Sequence, residues 1–328
     1  MKAKKLKFRP VFIVGHPRSG STLLASILGS HSSLAAIPET HYLDMSCPCT
    51  PLTRVLGGEY HFDSIMKNNR IIDSNVSLAE FRGVFSNSKD SYSDFFRLFL
   101  ELAAKKQGKQ RILEKTPRHL EYVEKLLRWY PEAKVICIIR DGRDAVNSLV
   151  DVAWTHSNIE RHAAYWGWCV RRAIKLQKTH PDHLIVIRFE DLLSRPKETL
   201  QQILSFIDEP YEDQLLQNRA SNHLIPAWEK KWKERSGKAL DQEKVFLWKK
   251  NCSKKSLYME SLFEDELKLM RYEVLRSRKI TFSERLKKIF RRVGFSVWYK
   301  LVLVYREFLV PRRGAHKNVE CGDGVDKT

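Results

Sequence analysis

The stretch VFIVGHPRSGST, residues 11–22, sets Gly15 and Gly20 around a short turn and follows them at once with Ser21 and Thr22. Glycine at those positions lets main-chain N–H groups turn toward an anion and approach it closely, which is the chemistry of a phosphate- or sulfate-cradling loop. A helix opening at LLASIL would add the positive end of its dipole, Thr22 a hydroxyl, and Arg18 a full positive charge inside the loop. A P-loop that hydrolyses nucleoside triphosphates needs lysine where this chain has Ser21, so a β/γ-phosphate pair is not the expected ligand. A glycine turn between a strand and a helix is also common as plain architecture, and a second motif has to decide.

That motif is KVICIIRDGRDAVNS, residues 134–148. An apolar strand ends in charge and runs into a helix. Arg140 offers a planar fork suited to a phosphate monoester, and Ser148, eight residues on, can donate a hydroxyl to the same group. Taken alone, Arg140, Asp141, Arg143 and Asp144 could equally form a solvated ion-pair cluster.

The elements that must position these residues follow from hydropathy and punctuation. Strands are expected at 11–15, near 111–113, at 134–139 and at 183–189. Helices are expected at 20–30, 117–130, 143–152, 160–178 and 196–207. Apolar strands alternating with helices predict an α/β fold of three layers, a mostly parallel central sheet flanked by helices, of the P-loop nucleotide-binding type. Ligands gather at the C-terminal ends of such strands, where both motifs lie. Residues 40–95 are less regular and, following Glu39, are a candidate acceptor-binding lid.

Together the two segments resemble the family of sulfotransferases that use 3′-phosphoadenosine 5′-phosphosulfate (PAPS). VGHPRSGSTLL is similar to that family's 5′-phosphosulfate loop and IIRDGRDAVNS to its 3′-phosphate segment. PET at 38–40, LEKTPRHL at 113–120 and VIRFEDLLSRPKETL at 186–200 extend the likeness over roughly residues 8–275. The Pro-Glu-Thr and Lys-Thr-Pro segments are most similar to tyrosylprotein and related Golgi-type or bacterial enzymes. The resemblance implies the sulfotransferase fold, donor contacts from Pro17, Arg18, Ser19, Gly20, Ser21 and Thr22, and a 3′-phosphate site at Arg140 and Ser148. It implies Glu39 as the general base for an acceptor hydroxyl, with Arg18 and Lys115 holding charge on the leaving phosphate and no metal required. His31 and His41 are rival bases, because imidazole titrates near neutral pH. The expected reaction moves a sulfuryl group to a hydroxyl of a sugar, a glycolipid or lipid-linked sugar, or a peptide tyrosine. Three features qualify the likeness. Phe189 stands where the family often has tyrosine. His41 stands where tyrosylprotein enzymes tend to have arginine. Leu247-Trp248-Lys249-Lys250 resembles a late strip that closes over the donor. A kinase-like phosphotransferase is the alternative within enzymes, weakened by Ser21 and by the lack of a Walker-B-like carboxylate. A basic membrane- or nucleic-acid-binding protein with a relic nucleotide fold is the alternative outside them.

With 328 residues, 43% hydrophobic, the chain can bury a sizeable core, and a catalytic domain is expected at 1–275. A basic amphipathic helical tail is expected at 276–313 and a polar, disordered C-terminus at 314–328. Six cysteines lack paired spacing, which argues against a zinc site or disulfide framework. The start, MKAKKLKFRPVFIVG, leads straight into the first strand, so a cytoplasmic enzyme, peripheral on the inner face of a membrane at most, and a bacterial origin are expected. The net charge of +19 is uneven: 276–313 holds twelve Lys or Arg against two Glu. There Leu286, Ile289, Phe290, Val293, Val297, Leu301, Val304 and Phe308 recur at helical spacing beside Lys287, Lys288, Arg291 and Arg292, a pattern for an anionic membrane surface or for a helix packed on the domain. Charge concentrated in this way does not call for nucleic acid as a partner.

Overall fold

A computed structural model describes residues 8–46, 76, 78–85, 92–150, 152, 155, 157–217, 245–250, 254–275, 293–295, 297–299 and 301. Five strands among them form one sheet: β1 (Val11–Gly15), β2 (Leu34–Ile37), β3 (Arg111–Lys115), β4 (Lys134–Ile139) and β5 (Leu184–Arg188). Their order is β2-β3-β1-β4-β5, and every pairing is parallel. Strands of such a sheet are buried on both faces, which is why VFIVG and VICII read as continuous apolar runs.

Alternate side chains enter different layers. Phe12 and Val14 join a core built with α3 (Tyr92–Lys106), α4 (Val123–Trp129), α5 (Gly142–Val150), α6 (Ile159–Thr179) and α10 (Lys254–Leu269). Val11 and Ile13 join a second core built with α1 (Ser21–Leu28), α7 (Phe189–Ser194) and α8 (Pro196–Phe206). The layers are helix, sheet and helix, as expected from the alternation of elements.

The differences from expectation have local causes. Residues 117–130 begin as a 3₁₀ turn, Pro117–Tyr122, and only then continue as α4, while Lys115 ends β3. The strand β2 has four residues and two alanines, too short and too weakly β-forming to stand out. In the stretch expected to be irregular, the structure contains α2 (Leu78–Phe85) and the start of α3; residues 47–75 lie outside the described residues. Register then does the positioning. Ile13 pairs with Lys115, Gly15 with Ile138 and Ile139 with Arg188, so β3, β1, β4 and β5 finish along one edge. The short α9, Leu247–Lys250, joins that edge.

Candidate active site

The 15–22 loop leaves β1 at Gly15, whose φ of 147° and close packing exclude a side chain: a Cβ would sit 2.2 Å from the Ile138 carbonyl oxygen. It enters α1 through Gly20, at φ 87°, where a Cβ would lie 2.3 Å from the Phe189 ring. The first turn of α1 has no side-chain cap and no acidic residue of its own, and its N–H groups and dipole face the loop. Ser19 is fully buried, and its hydroxyl has no partner among the described residues. An uncapped helix start, a buried orphan hydroxyl and the Arg18 charge fit a phosphate- or sulfate-sized anion. His16, also in the loop, is buried against Tyr165; burial first, and His162 second, hold its pKa down to about 3, so it adds no charge.

The second motif reaches the same place. Arg18 Nε donates to Ser148 Oγ on α5 at 3.0 Å, joining the two segments across the sheet edge. Arg140, just past β4, lies with its guanidinium 5.0 Å over the Phe189 ring and 3.6 Å from Asp144. Burial raises the Asp144 carboxyl to about 6 against the opposing pull of Arg140. The other charges of this motif are not a solvated cluster. Arg143 is buried between Asp141 at 2.7 Å and Glu260 at 2.6 Å, with Trp248 3.5 Å from its guanidinium. Trp248 in turn donates from its indole to Asp141 at 3.1 Å, while its main-chain N–H and that of Leu247 donate to Asp144. The strip 247–250 is thereby pinned beside Arg140.

Lys115 connects the anion loop to Glu39. Its ammonium, fully buried at the end of β3, lies 3.2 Å from Thr22 Oγ1 and 2.6 Å from Glu39 Oε1. A lysine, absent from the loop itself, thus stands beside it on the neighbouring strand. Glu39 is held in place by the next residue. Thr40 Oγ1 donates to the fully buried Glu114 at 2.8 Å, and Thr116 Oγ1 and His119 Nδ1 serve the same carboxylate. Burial would raise Glu114, yet His119, Thr116 and Thr40 hold it below the ordinary glutamate value. Beyond Glu39, His41 Nε2 lies 3.0 Å from Glu39 Oε2, and its Nδ1 lies 3.1 Å from Asp44 Oδ2. Asp44 belongs to the π turn Tyr42–Ser46 and also faces Arg118 at 3.7 Å. Burial would lower His41, but Asp44 and Glu39 raise it to about 9; burial would raise Asp44, but His41 and Arg118 pull it far below the usual carboxylate range.

Pro17 through Thr22, Glu39, Lys115, Arg140 and Ser148 therefore line one edge of the sheet. His31 does not join them: it precedes β2 at the opposite edge, bonded to the Pro210 carbonyl at 2.8 Å, which removes it as a rival base. Glu114, Asp44 and Arg118 are site-shaping residues that motif reasoning passed over; the one signal was an acidic residue following the apolar pair Ile112-Leu113 in a predicted strand. Among the described residues no group of His, Cys, Asp and Glu could hold a metal ion, and no helix is long and apolar enough to cross a membrane. Most of 276–313 lies outside the described residues. Of its described part, Tyr299 is buried against Tyr165 and Trp168 and donates to Glu121, whereas Val293, Val297 and Leu301 are exposed.

Comparison with known proteins gives the same picture. Residues 10–213 match the model of the sulfotransferase family. The protein-tyrosine sulfotransferase of Drosophila melanogaster is 24% identical over 216 residues, 63% of this chain and 39% of that protein. Protein-tyrosine sulfotransferase 1 of Danio rerio is 25% identical over 213 residues, again 63% of this chain, and 55% of that protein. The chain thus spans about half or less of the length of these two curated relatives. Among solved structures, the sulfotransferase domain from the curacin biosynthetic pathway superposes with a TM-score of 0.57 at 18% identity, covering 81% of this chain and 99% of that domain; it shares the fold.

Proposed function

This chain belongs to the sulfotransferase family, and from that premise we propose that it moves a sulfuryl group from PAPS to an acceptor hydroxyl, of a sugar, a glycolipid or a peptide tyrosine. The observation that carries the reading is Lys115, one buried cation in contact with both Thr22 of the anion loop and Glu39. The donor supplies the sulfuryl group, whose bond to the 5′-phosphate oxygen breaks as the acceptor oxygen bonds to sulfur. The chain supplies the rest. Gly20, Ser21 and Thr22 present main-chain N–H groups to the 5′ end, with Pro17 and Ser19 shaping the turn. Arg140 and Ser148 hold the 3′-phosphate through a charged fork and a hydroxyl. Arg18 and Lys115 stabilise the negative charge that grows on the leaving oxygen. Glu39, at the open side of Lys115, takes the acceptor proton. The stoichiometry needs no redox partner: the acceptor hydroxyl loses its proton to Glu39 and gains the sulfuryl group, and 3′-phosphoadenosine 5′-phosphate (PAP) leaves.

The tyrosine-sulfating relatives favour a phenolic acceptor, while His41, in place of arginine, favours a different peptide preference from theirs. Sulfur-labelled PAPS incubated with a tyrosine peptide, an oligosaccharide and a glycolipid tests the reading. Magnesium-independent label on one of them supports it. No transfer, together with no binding of PAP, overturns it. Glu39→Gln should keep PAP binding while slowing transfer by about 10²- to 10⁴-fold, and near-normal turnover would remove Glu39 as the base.

A further inference from the structure

His41 has a backbone φ of 48°, in the left-handed region that a non-glycine residue enters at a cost of about 1 kcal/mol or more. Its main-chain N–H is tied to Thr116 Oγ1 at 3.3 Å, and the turn directs the imidazole between two carboxylates. Nε2 meets Glu39 at 3.0 Å and Nδ1 meets Asp44 at 3.1 Å. A neutral imidazole carries one N–H and cannot donate to both; an imidazolium carries two and can. The pKa raised to about 9 agrees with that count. The surrounding charges are Lys115 and Glu114 from β3, Asp44 from the π turn, and Arg118, His119 and Glu121 from the 3₁₀ turn. Asp44 balances His41, and Glu114 is occupied by His119, Thr40 and Thr116. Among the described residues Glu39 thus has a cationic neighbour on each oxygen, Lys115 on Oε1 and His41 on Oε2.

We infer that His41 is a positioning residue for sulfuryl transfer: as an imidazolium held by Asp44, it fixes Oε2 of Glu39 and keeps that carboxylate ionised beside the anionic donor, leaving Oε1 to receive the acceptor proton. The inference rests on the reading of Glu39 as the base. On it His41 is no rival base, because a ring with both nitrogens protonated has no lone pair with which to take the proton. The need for a second cation follows from charge. A donor bearing phosphate and sulfate groups raises the proton affinity of any carboxylate nearby. Without His41, Lys115 would have to serve both the leaving oxygen, beside Arg18, and Glu39. With His41 on Oε2, Lys115 can turn from Oε1 to the leaving oxygen without leaving Glu39 uncompensated.

Two readouts test this. The first, independent of any acceptor, is long-range ¹⁵N–¹H NMR of the imidazoles in the full chain. His41 should be doubly protonated at pH 7 and titrate near 9, and Asp44→Asn should lower that value by at least one pH unit. The second is the pH profile of kcat/KM with whichever acceptor takes label in the panel above. His41→Gln should lower kcat about 10- to 100-fold, change the Kd for PAP less than threefold, and move the acid limb up by about one pH unit. A neutral, singly protonated His41 at pH 7 would overturn the inference, as would a His41→Gln enzyme that is only less heat-stable with its pH profile unmoved. Glu39→Gln run alongside separates the two ideas. Full turnover there sinks the base assignment, whereas a dead Glu39→Gln beside an unshifted His41→Gln sinks only the role of His41.

Discussion

Replacing Arg140 with alanine should weaken PAP without touching 5′-AMP, and the size of the effect follows from the surroundings of the guanidinium. The Arg140 side chain is only 12% exposed, rests over the Phe189 ring and is 3.6 Å from Asp144. A charged hydrogen bond is worth about 1.5–3 kcal/mol, so losing the fork predicts roughly 10- to 150-fold weaker binding of a nucleotide bearing a 3′-phosphate. Deletion also uncovers Asp144, which would repel the phosphate if ionised. That carboxyl is already raised to about 6 with Arg140 pulling it down, and without Arg140 it rises further. It then holds its proton to higher pH, which lessens the repulsion. Arg140→Lys should fall in between, because it keeps the charge and loses the fork. Calorimetric titration of wild type and variants with PAP and with 5′-AMP, alongside thermal melts, reads all of this. Equal losses for both nucleotides, or an unchanged PAP affinity with an intact fold, would refute the placement of the 3′-phosphate.

Gly20→Ala combines a φ of 87° with a Cβ 2.3 Å from the Phe189 ring, so it should lower Tm by about 2–8 °C and PAP affinity at least tenfold; a variant with both unaltered would mean that the loop reshapes freely. Glu190 is buried beneath Asp141 N–H and Tyr272, and burial lifts its carboxyl from 4.5 to about 7. The folded protein therefore binds a proton between pH 4.5 and 7 that the unfolded chain does not, and the stability gained at low pH is lost as pH rises through 7. Glu190→Gln should remove that dependence, about 3 kcal/mol at most. Denaturant unfolding of both proteins at pH 5 and pH 8 checks it: an identical pH slope would show that Glu190 titrates normally.

The fold was legible because its signals are local. VFIVG and KVICII are short, rich in β-branched residues and each fed a glycine-marked turn, which marks them as strands, and helices of fitting length came between. The meeting of the two motifs was legible for the same reason: Arg18 and Ser148 are each inside one, and the structure joins them at 3.0 Å. The acceptor side was legible only in part. Glu39 and Lys115 came from resemblance, while their partners depend on register that no short window contains. Glu114 matters because β3 lies beside β2 and sets its carboxylate under Thr40, and Asp44 matters because a π turn folds it back on His41. For Arg143 and Asp141 the sequence left open a solvated ion-pair cluster, since nothing there foretells Glu260 and Trp248 arriving more than a hundred residues later to bury them.

Calorimetric titration of the protein without magnesium, using PAP, 5′-AMP and ATP in parallel, bears most directly on whether this edge of the sheet is a PAPS site. Micromolar binding of PAP, lost when the 3′-phosphate is absent and not matched by ATP, is the predicted result. Absence of PAP binding, or a preference for ATP that appears with magnesium, would contradict it.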